Sequence, residues 1–265
     1  MSTYVFGDLQ GCFDELSALL DQIGPSDDDA LWFVGDLINR GPKNVATLEL
    51  LSTRPHTHCV LGNHDLHFLA VAHGIRLPHR SDTIDDLLTH PEREAFVNFL
   101  IQQPLIHVDQ HQQVLMVHAG IPAMWSLKDA LAWSESISQQ LIDPSRRMPF
   151  FKAMYGNEPR DWHQIMSREA RLRLATNVLT RMRFYQPPGV IDLEEKALAG
   201  PEGFGPWFES RHPSLDDWTI CFGHWAMLDG VFKPGLYGLD TGCVWGRALT
   251  AVRLEDGTIF RQAAL

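Results

Sequence analysis

The sequence is poor in the features that mark exported, membrane-bound or nucleic-acid-binding proteins. Its 265 residues include four cysteines, none with the C-x-x-C spacing of redox or zinc motifs. No apolar run approaches the roughly 20 residues of a membrane span, and the N-terminus lacks a basic-then-apolar signal pattern. The net charge of −11 argues against a stable nucleic-acid partner or an anionic membrane. We therefore expect a cytoplasmic protein with buried, reduced thiols and no membrane partner.

What is present is the composition of an ordinary globular enzyme. Hydrophobic residues make up 45% of the chain, and its length suffices for one large domain with a sizeable core. The negative net charge does not exclude an anionic substrate, because a metal ion or a local arginine cluster can reverse the field at one site.

The first part of the chain predicts a parallel sheet. An apolar run at 4–6 precedes helical spacing from Phe13 to Ile23, and further strands are predicted at 30–34 and 58–61 with a short helix between them. This β-α-β-α-β order is typical of parallel strands joined by crossover helices. Residues 66–105 look mostly helical. The remaining predicted strands lie at 114–117, 219–222, 236–239, 249–254 and 259–260.

The middle of the chain, about 122–216, has a different character. It is rich in Trp, Pro and Arg and lacks strong strand signals. We expect a helical insertion or lid that packs on the same single α/β domain, which spans residues 1–265.

One pattern recurs at five apolar runs, each of which ends in a side chain that can bind a metal: Asp8, Asp36, Asn63 with His64, His118, and His224. In an open α/β sheet, ligands bind beyond the carboxyl ends of the strands, so these donors should meet at one edge of one sheet. Oxygen and imidazole donors suit Mn²⁺, Fe²⁺, Zn²⁺ or Co²⁺ better than a thiolate zinc site. There are too many for one ion, and two ions about 3.5–4 Å apart are the arrangement of phosphoester hydrolysis.

The motifs resemble those of metallophosphoesterases of the phosphoprotein-phosphatase type. The matching segments are GDLQG (7–11), GDLINRG (35–41), GNHD (62–65), HAG (118–120) and GH (223–224). Other segments are similar to one branch, the symmetrical bis(5′-nucleosyl)-tetraphosphatases: GNHDLHFLA (62–70), FFKAMYGNEP (150–159), TRMRF (180–184), FGHWA (222–226) and LDTGCVWGRALT (239–250). The resemblance implies an αββα sandwich of mixed sheets flanked by helices, with a calcineurin-like metallophosphoesterase domain.

The resemblance also implies two divalent ions, with Mn²⁺ expected and Co²⁺, Mg²⁺, Fe²⁺ or Zn²⁺ as alternatives. Asp36 would bridge the ions, Asp8 would complete one site, and the other site would take the ligands Asn63, His118 and His224. A hydroxide between the ions would attack phosphorus in line. Gln10 stands where the family usually has His. It would be a weaker, harder ligand, or it would only bind a metal-bound water through a hydrogen bond.

His64 matches the general acid that protonates the leaving oxygen. In the protein phosphatases an Asp orients this histidine, and here the position is Asn39, which can accept a hydrogen bond but carries no charge. Asp65 is adjacent and would either assist His64 or point away from it. Arg40 matches the arginine that grips phosphate.

Further residues are expected to bind the substrate. The segment 167–184 contains five arginines and one acid, and we expect Arg183, with Arg181 behind it, to bind the phosphates. Trp225 would stack on a base or pack in the core, and Tyr155 and Trp245 are weaker candidates for stacking. Asp240 should lie beside the site. Six further histidines are interpreted as structural or surface residues: His67, His73, His79, His90, His107 and His111.

Three functions remain open at this point. The first is hydrolysis of diadenosine tetraphosphate and related dinucleoside polyphosphates to two ADP, with dinucleotide-capped RNA 5′ ends as an additional substrate. The second is a protein Ser/Thr phosphatase, although a Trp- and Arg-rich lid does not favour a polypeptide groove. The third is a non-catalytic metal-binding scaffold, against which the presence of His64 argues.

Overall fold

Thirteen strands and eight α-helices make up the computed structural model, which describes all residues, 1–265. The strands are β1 (Thr3–Phe6), β2 (Ala30–Phe33), β3 (Thr57–Cys59), β4 (Ile106–Asp109), β5 (Val114–Val117), β6 (Phe184–Gln186), β7 (Val190–Asp192), β8 (Gly205–Pro206), β9 (Thr219–Phe222), β10 (Val231–Lys233), β11 (Leu236–Gly238), β12 (Ala248–Arg253) and β13 (Thr258–Ala263). The helices are α1 (Phe13–Ile23), α2 (Asn44–Thr53), α3 (Asn63–Ala72), α4 (Asp85–Thr89), α5 (Arg93–Ile101), α6 (Leu127–Ile142), α7 (Pro144–Ala153) and α8 (Arg168–Arg181).

The strands form two five-stranded mixed sheets and one small sheet. Their orders are β13-β12-β1-β2-β3, β10-β11-β9-β5-β4 and β7-β6-β8. Strands β1, β2 and β3 pair in parallel, and so do β5, β9 and β11. The predicted β-α-β-α-β start is confirmed, and each large sheet has a parallel centre whose carboxyl ends share one edge.

Side chains alternate between the two faces of each strand, and those on one face pack the two large sheets against each other. Val5 and Val34 belong to a small apolar cluster that also takes Val114, Met116 and Cys221 from the second sheet. Their neighbours in sequence, such as Phe6, face the other way and join a larger cluster with the helices. Successive strand residues point to opposite faces, so this division is the one expected of an αββα sandwich.

The insertion is less purely helical than predicted. Within 122–216 the structure has α6, α7 and α8, but also the three strands of the small sheet, which the helical interpretation did not include. The strands have two or three residues each, which is too short to produce an alternating pattern. Strands β4 and β10 were also missed, and β10 likewise has only three residues.

Helix α8 connects the insertion to the sandwich. Ser167 is the N-cap of this helix, and its hydroxyl accepts a hydrogen bond from the backbone N–H of Ala170 at 3.1 Å. Its apolar side, including Leu174 and Val178, is fully buried in the larger apolar cluster. This packing fixes the end of the helix, so that Arg181 lies beside the carboxyl edge of the second sheet, where its backbone oxygen contacts His224 at 3.0 Å.

The cysteines are free and buried, as predicted: Cys12, Cys59, Cys221 and Cys243. The helices are all too short or too polar to cross a membrane.

Candidate metal centre and adjoining cleft

The predicted donors converge at the carboxyl edges of the two large sheets. Ligand atoms of Asp36, His118 and His224 lie within 4.8 Å of one another. These residues follow β2, β5 and β9, so both large sheets contribute to one site and the expectation of a single sheet was wrong. Asp8 follows β1, and its carboxylate accepts hydrogen bonds from the backbone N–H of His224 at 3.1 and 3.2 Å. The structure therefore brings together residues that are up to 216 positions apart in the chain.

Each donor is held in place by the backbone of another motif. The Asp36 carboxylate accepts a hydrogen bond of 2.8 Å from the N–H of His64 in the first turn of α3, where the helix dipole also favours a negative charge. His118 donates from Nδ1 to the carbonyl of Val34 at 2.9 Å. These contacts orient the donors, and the bond from Nδ1 of His118 leaves its Nε2 facing Asp36.

The glycines that precede the donors are needed for close approach. A Cβ atom on Gly62 would overlap the carboxylate of Asp36, and one on Gly223 would overlap that of Asp8. A side chain at either position would push the carboxylates away from the site. This contact explains physically why the metal-capable residues follow glycine.

The site also concentrates unusual backbone conformations. Eight non-glycine residues have positive φ, and five of them are candidate site residues: Gln10, Asp36, Asn39, Arg40 and His224, with φ between 48° and 80°. Such conformations cost free energy and persist only where the surrounding structure imposes them. Here they turn the chain sharply after each strand, so that the side chains point along the sheet edge.

Acceptor atoms at the centre are suited to binding a cation. Because His118 donates from Nδ1, its Nε2 carries a lone pair; this atom is fully buried, has no hydrogen-bond partner, and lies 3.4 Å from Oδ1 of Asp36. His224 donates from Nε2 to the carbonyl of Arg181 at 3.0 Å, which leaves a lone pair on Nδ1. An atom of the Asn63 amide lies 3.0 Å from that Nδ1. The hydrogen bonds within the chain orient this amide with Nδ2 towards Nδ1 of His224 and the carbonyl of Thr180, so the Asn63 oxygen would bind a metal only after the amide rotates.

The charges of the site agree with this interpretation. Burial raises the pKa of Asp8 well above its ordinary value, and the charges of Asp240 and Asp36 raise it further. Burial, again with the charge of Asp36, raises the pKa of Asp240 to about 6. Clustered buried carboxylates are unfavourable unless cations compensate them, and Arg183 is a nearby cationic side chain. The donor set therefore fits divalent ions held by carboxylate, amide and imidazole groups.

Gln10 lies next to this centre. It is 7% exposed, and its backbone N–H donates to the carbonyl of Asp36 at 2.7 Å. Its side chain makes no hydrogen bond within the chain, which leaves the amide oxygen free to act as a ligand.

The partner of His64 differs from the sequence-based interpretation. Asn39 does not accept a hydrogen bond from His64, because its Oδ1 already accepts from the backbone N–H groups of Arg40 at 2.7 Å and Thr83 at 3.1 Å. Its Nδ2 lies 3.3 Å from Nδ1 of His64 and is a donor. Nδ1 of His64 must therefore be the acceptor, so the proton of the neutral ring is on Nε2, 3.9 Å from Oδ2 of Asp36.

Asp82 organises these groups, although no motif contains it. It lies in the loop between α3 and α4, and its side chain is 1% exposed. Oδ1 accepts from Nδ2 of Asn39 at 3.0 Å and pairs with Arg40 at 3.3 Å, while Oδ2 contacts Nε2 of His67 at 2.9 Å. One carboxylate thus sets the direction of the Asn39 amide and of the Arg40 guanidinium.

We expect Asp82→Ala to lower kcat/KM about 10- to 100-fold, as loss of a supporting hydrogen-bond partner commonly does. Both kcat and KM should change, since Asn39 and Arg40 lose the same partner. Asp82→Asn keeps an acceptor for Asn39 and should recover part of kcat but less of KM. Steady-state kinetics and thermal unfolding of both variants test this. If kinetic constants are unchanged while Tm falls, Asp82 is purely structural.

Asp65 does not assist His64, and this interpretation is corrected. Its fully buried carboxylate accepts hydrogen bonds from the backbone N–H groups of Leu37 at 2.9 Å and Gly62 at 2.8 Å. It therefore ties the loop after β2 to the start of α3, which is a structural role.

A cleft of about 330 Å³ opens beside His64. Arg40 and Arg181 line it, and Arg181 is fixed by hydrogen bonds of 3.0 Å to Asn177 and Asn157. Arg183 lies outside this cleft, where it donates to the carbonyl of His224 at 3.1 Å close to the buried acids. Tyr155 also lines the cleft, whereas Trp245 is 63% exposed and does not.

The sequence-based interpretation of Trp225 as a stacking residue is corrected here. Trp225 is 2% exposed and packs edge-on against Phe184 with ring centroids 4.7 Å apart, so it belongs to the core and cannot stack on a base.

His67 is held by hydrogen bonds and His79 is exposed, as interpreted, and both also line the cleft. Asp82 was missed altogether, since no spacing or motif distinguishes it. Asn157 lies in the matching segment 150–159 but was not named as a site residue.

Comparisons with known proteins agree with this geometry. Residues 1–238 match the family model of the calcineurin-like phosphoesterases. The chain is 46% identical over 267 residues to the symmetrical bis(5′-nucleosyl)-tetraphosphatase of Ectopseudomonas mendocina, covering 98% of each chain. It is 46% identical over 268 residues to the protein of that name from Cellvibrio japonicus, covering 99% of each.

Solved structures show the same fold. A crystal structure of a proposed diadenosine tetraphosphatase has a TM-score of 0.69 at 23% identity, covering 100% of this chain and 94% of that one. A serine/threonine phosphatase from Saccharomyces cerevisiae has a TM-score of 0.54 at 14% identity, with 100% and 79% covered. The chain belongs to the calcineurin-like phosphoesterase family, within the branch of the symmetrical bis(5′-nucleosyl)-tetraphosphatases.

Proposed function

We propose that the protein hydrolyses diadenosine tetraphosphate and related dinucleoside polyphosphates symmetrically, releasing two molecules of ADP. The observation that carries this proposal is the convergence of Asp36, His118 and His224 from both sheets beside His64, at the mouth of an arginine-lined cleft. The relatives that match along the whole chain carry the name of this activity. RNA 5′ ends with a dinucleotide cap contain the same anhydride and are proposed as additional substrates.

The proposed metal ligands are Asp8, Asp36, Asn63, His118 and His224, with Gln10 as a further, weaker ligand. Two divalent ions bound there would supply charge neutralisation and an activated water at neutral pH. Mn²⁺ is the proposed metal, because carboxylate and amide oxygens combined with imidazole suit it. Free thiols support a cytoplasmic location. Residues 122–216 are proposed to act as a lid.

In this proposal, Arg40 and Arg181 hold the phosphates and His64 acts on the leaving oxygen. With Asn39 donating to Nδ1, His64 presents Nε2–H to that oxygen. A neutral imidazole is a good hydrogen-bond donor but a weak acid. ADP leaves as a phosphate oxyanion, whose conjugate acid has a pKa of ~6. Because this oxyanion is weakly basic, a hydrogen bond from His64 is enough to stabilise it as it leaves. The alkoxide that leaves from phosphoserine is far more basic, and this difference favours an anhydride substrate over a phosphoprotein.

The test is to incubate the purified protein with diadenosine tetraphosphate and Mn²⁺ and to separate the products. Two molecules of ADP are expected, at a rate well above that with a phosphoserine peptide. Release of AMP and ATP would reject the symmetrical cut, faster hydrolysis of the phosphopeptide would favour a protein phosphatase, and metal binding without turnover would favour a scaffold.

Replacing Gln10 by His should strengthen the metal site that contains Asp8. Imidazole is a better donor than an amide, so we expect the more weakly bound ion to bind about tenfold more tightly. Histidine tolerates the positive φ of 48° found at this position. Calorimetric titration of metal-free wild-type and Gln10→His protein with Mn²⁺ measures the change. Equal affinities would mean that residue 10 is not a ligand.

A further inference from the structure

Two chemically different groups of side chains line the cleft beside His64. Asn63, His64 and the two arginines suit phosphate. The rings of His67, His79 and Tyr155 lie against one another and form what we call the aromatic end of the cleft. A volume of about 330 Å³ is sufficient for a small organic group in addition to phosphate oxygens.

The two histidines form a rigid, flat surface. Their rings are stacked, with centroids 4.9 Å apart and planes inclined by 30°. His67 is immobilised because one ring nitrogen contacts Asp82 at 2.9 Å and the other contacts the hydroxyl of Tyr155 at 3.0 Å. Both nitrogens of His67 are therefore occupied, so it cannot bind a metal or a phosphate. His79 rests on this fixed ring and is itself exposed.

Tyr155 closes the same end of the cleft. Its ring is perpendicular to that of His67 at 6.2 Å, and the guanidinium of Arg76 covers it at 4.2 Å. Burial raises the pKa of Tyr155 to about 12, so the phenol stays neutral and keeps its hydrogen bond to His67. The three rings are thus held by one another before any ligand binds, which lowers the entropic cost of stacking a ligand on them.

Asn157 adds a polar group to this surface. Asn157 lines the cleft. Its Oδ1 accepts a hydrogen bond from Arg181 at 3.0 Å, while its Nδ2 makes no hydrogen bond within the chain. A free amide donor can bind the ring nitrogens or carbonyl oxygens that all nucleobases present.

We propose that the end of the cleft formed by His67, His79 and Tyr155 is a subsite for one nucleobase of the substrate. The proposal rests on the proposed function, and it adds where the base binds. Stacking on His79 and a single amide donor would recognise a base in general, so adenine and guanine should bind with similar affinity. Arg40 and Arg181, which line the same cleft, would hold the phosphates of the same nucleotide.

The experiment compares a ligand with a base and a ligand without one, and it requires no turnover. Binding of ADP and of pyrophosphate is measured by calorimetry in the presence of Mn²⁺, for wild type and for His79→Ala, His79→Phe and His111→Ala. His111 is an exposed histidine that does not line the cleft, and it serves as the control. Thermal unfolding checks that each variant is folded.

We expect His79→Ala to weaken ADP binding about tenfold and pyrophosphate binding far less, because the loss of one stacking partner affects only the base. His79→Phe, which keeps a flat ring, should retain most of the affinity for ADP, and His111→Ala should match wild type. Equal losses for ADP and pyrophosphate, or none for ADP, would overturn the subsite.

The same proteins are also assayed with diadenosine tetraphosphate. If wild type produces two ADP but His79→Ala leaves both KM and ADP affinity unchanged, the subsite is wrong and the proposed function stands. If ADP binding depends on His79 but no diadenosine tetraphosphate is hydrolysed, the subsite stands and the proposed function fails.

Discussion

Asp36→Asn is expected to lower kcat by about 10³-fold or more and to reduce the number of bound ions below two. Asp36 is the only carboxylate among the three side chains whose ligand atoms lie within 4.8 Å of one another. Its replacement removes the negative charge that would bring two cations together, while the amide retains nearly the same shape. Metal content by elemental analysis and kcat with saturating Mn²⁺ measure the effect.

The matched control is Asp65→Asn, another buried aspartate of the same site region. Because the Asp65 carboxylate only accepts backbone hydrogen bonds from Leu37 and Gly62, its replacement should lower Tm while two ions still bind. If Asp36→Asn binds two ions with wild-type affinity, Asp36 does not bridge them. If Asp65→Asn loses metal to the same extent, the effect of Asp36 is not specific.

His64→Ala is expected to lower kcat on diadenosine tetraphosphate about 10²-fold, at the lower end of the range for a proton donor. The loss is limited because the leaving phosphate is weakly basic and because Asn39 holds His64 as a hydrogen-bond donor. Bis(2,4-dinitrophenyl) phosphate, whose phenolate leaving group is less basic than the departing phosphate and needs less assistance, should lose less than about tenfold. Steady-state kinetics on both substrates, with metal content measured in parallel, test the prediction.

The kinetics on the two substrates and the metal content distinguish a proton donor from a residue without contact to the leaving oxygen and from a metal ligand. Equal losses on both substrates would show that His64 does not act on the leaving oxygen. A loss of bound metal in His64→Ala would place the residue among the ligands, contrary to the proposed role.

The convergence of donors within each sheet was predictable because it depends on a rule of topology rather than on side-chain detail. Parallel strands present their carboxyl ends at one edge, so the residues after β1 and β2 had to approach one another in the first sheet, and those after β5 and β9 in the second. The two edges meet because the sheets pack face to face, which the strand order alone does not predict. The recurrent glycine was a second signal. Its reason, visible only in three dimensions, is that the carboxylates of Asp36 and Asp8 occupy the space of a missing Cβ.

Other parts of the site depend on the orientations of side chains, which the neighbouring sequence does not determine. Trp225 follows His224, whose φ is 65°, and this turn sends the indole into the core instead of the site. The amide of Asn39 donates to His64 because two backbone N–H groups from different segments occupy its oxygen. Neither result can be deduced from residue type or spacing.

The loop between α3 and α4 was the most unexpected contributor. It has no strand or helix pattern of its own, yet it supplies Asp82 and His79 to the site. The position of Asp82 depends on contacts with Asn39, Arg40 and His67, which lie 15 to 43 residues away along the chain, and His79 stacks on His67. A motif search finds residues near glycines at strand ends, and it passes over such a loop.

The most direct test of the account is an anomalous difference map from crystals grown with Mn²⁺. Two peaks about 3.5–4 Å apart are expected, with Asp36 contacting both, His118 and His224 contacting one, and Asp8 contacting the other. A map from Mn²⁺-saturated crystals that shows no peak among these residues, or a single peak elsewhere on the molecule, would contradict the two-ion site and with it the proposed chemistry.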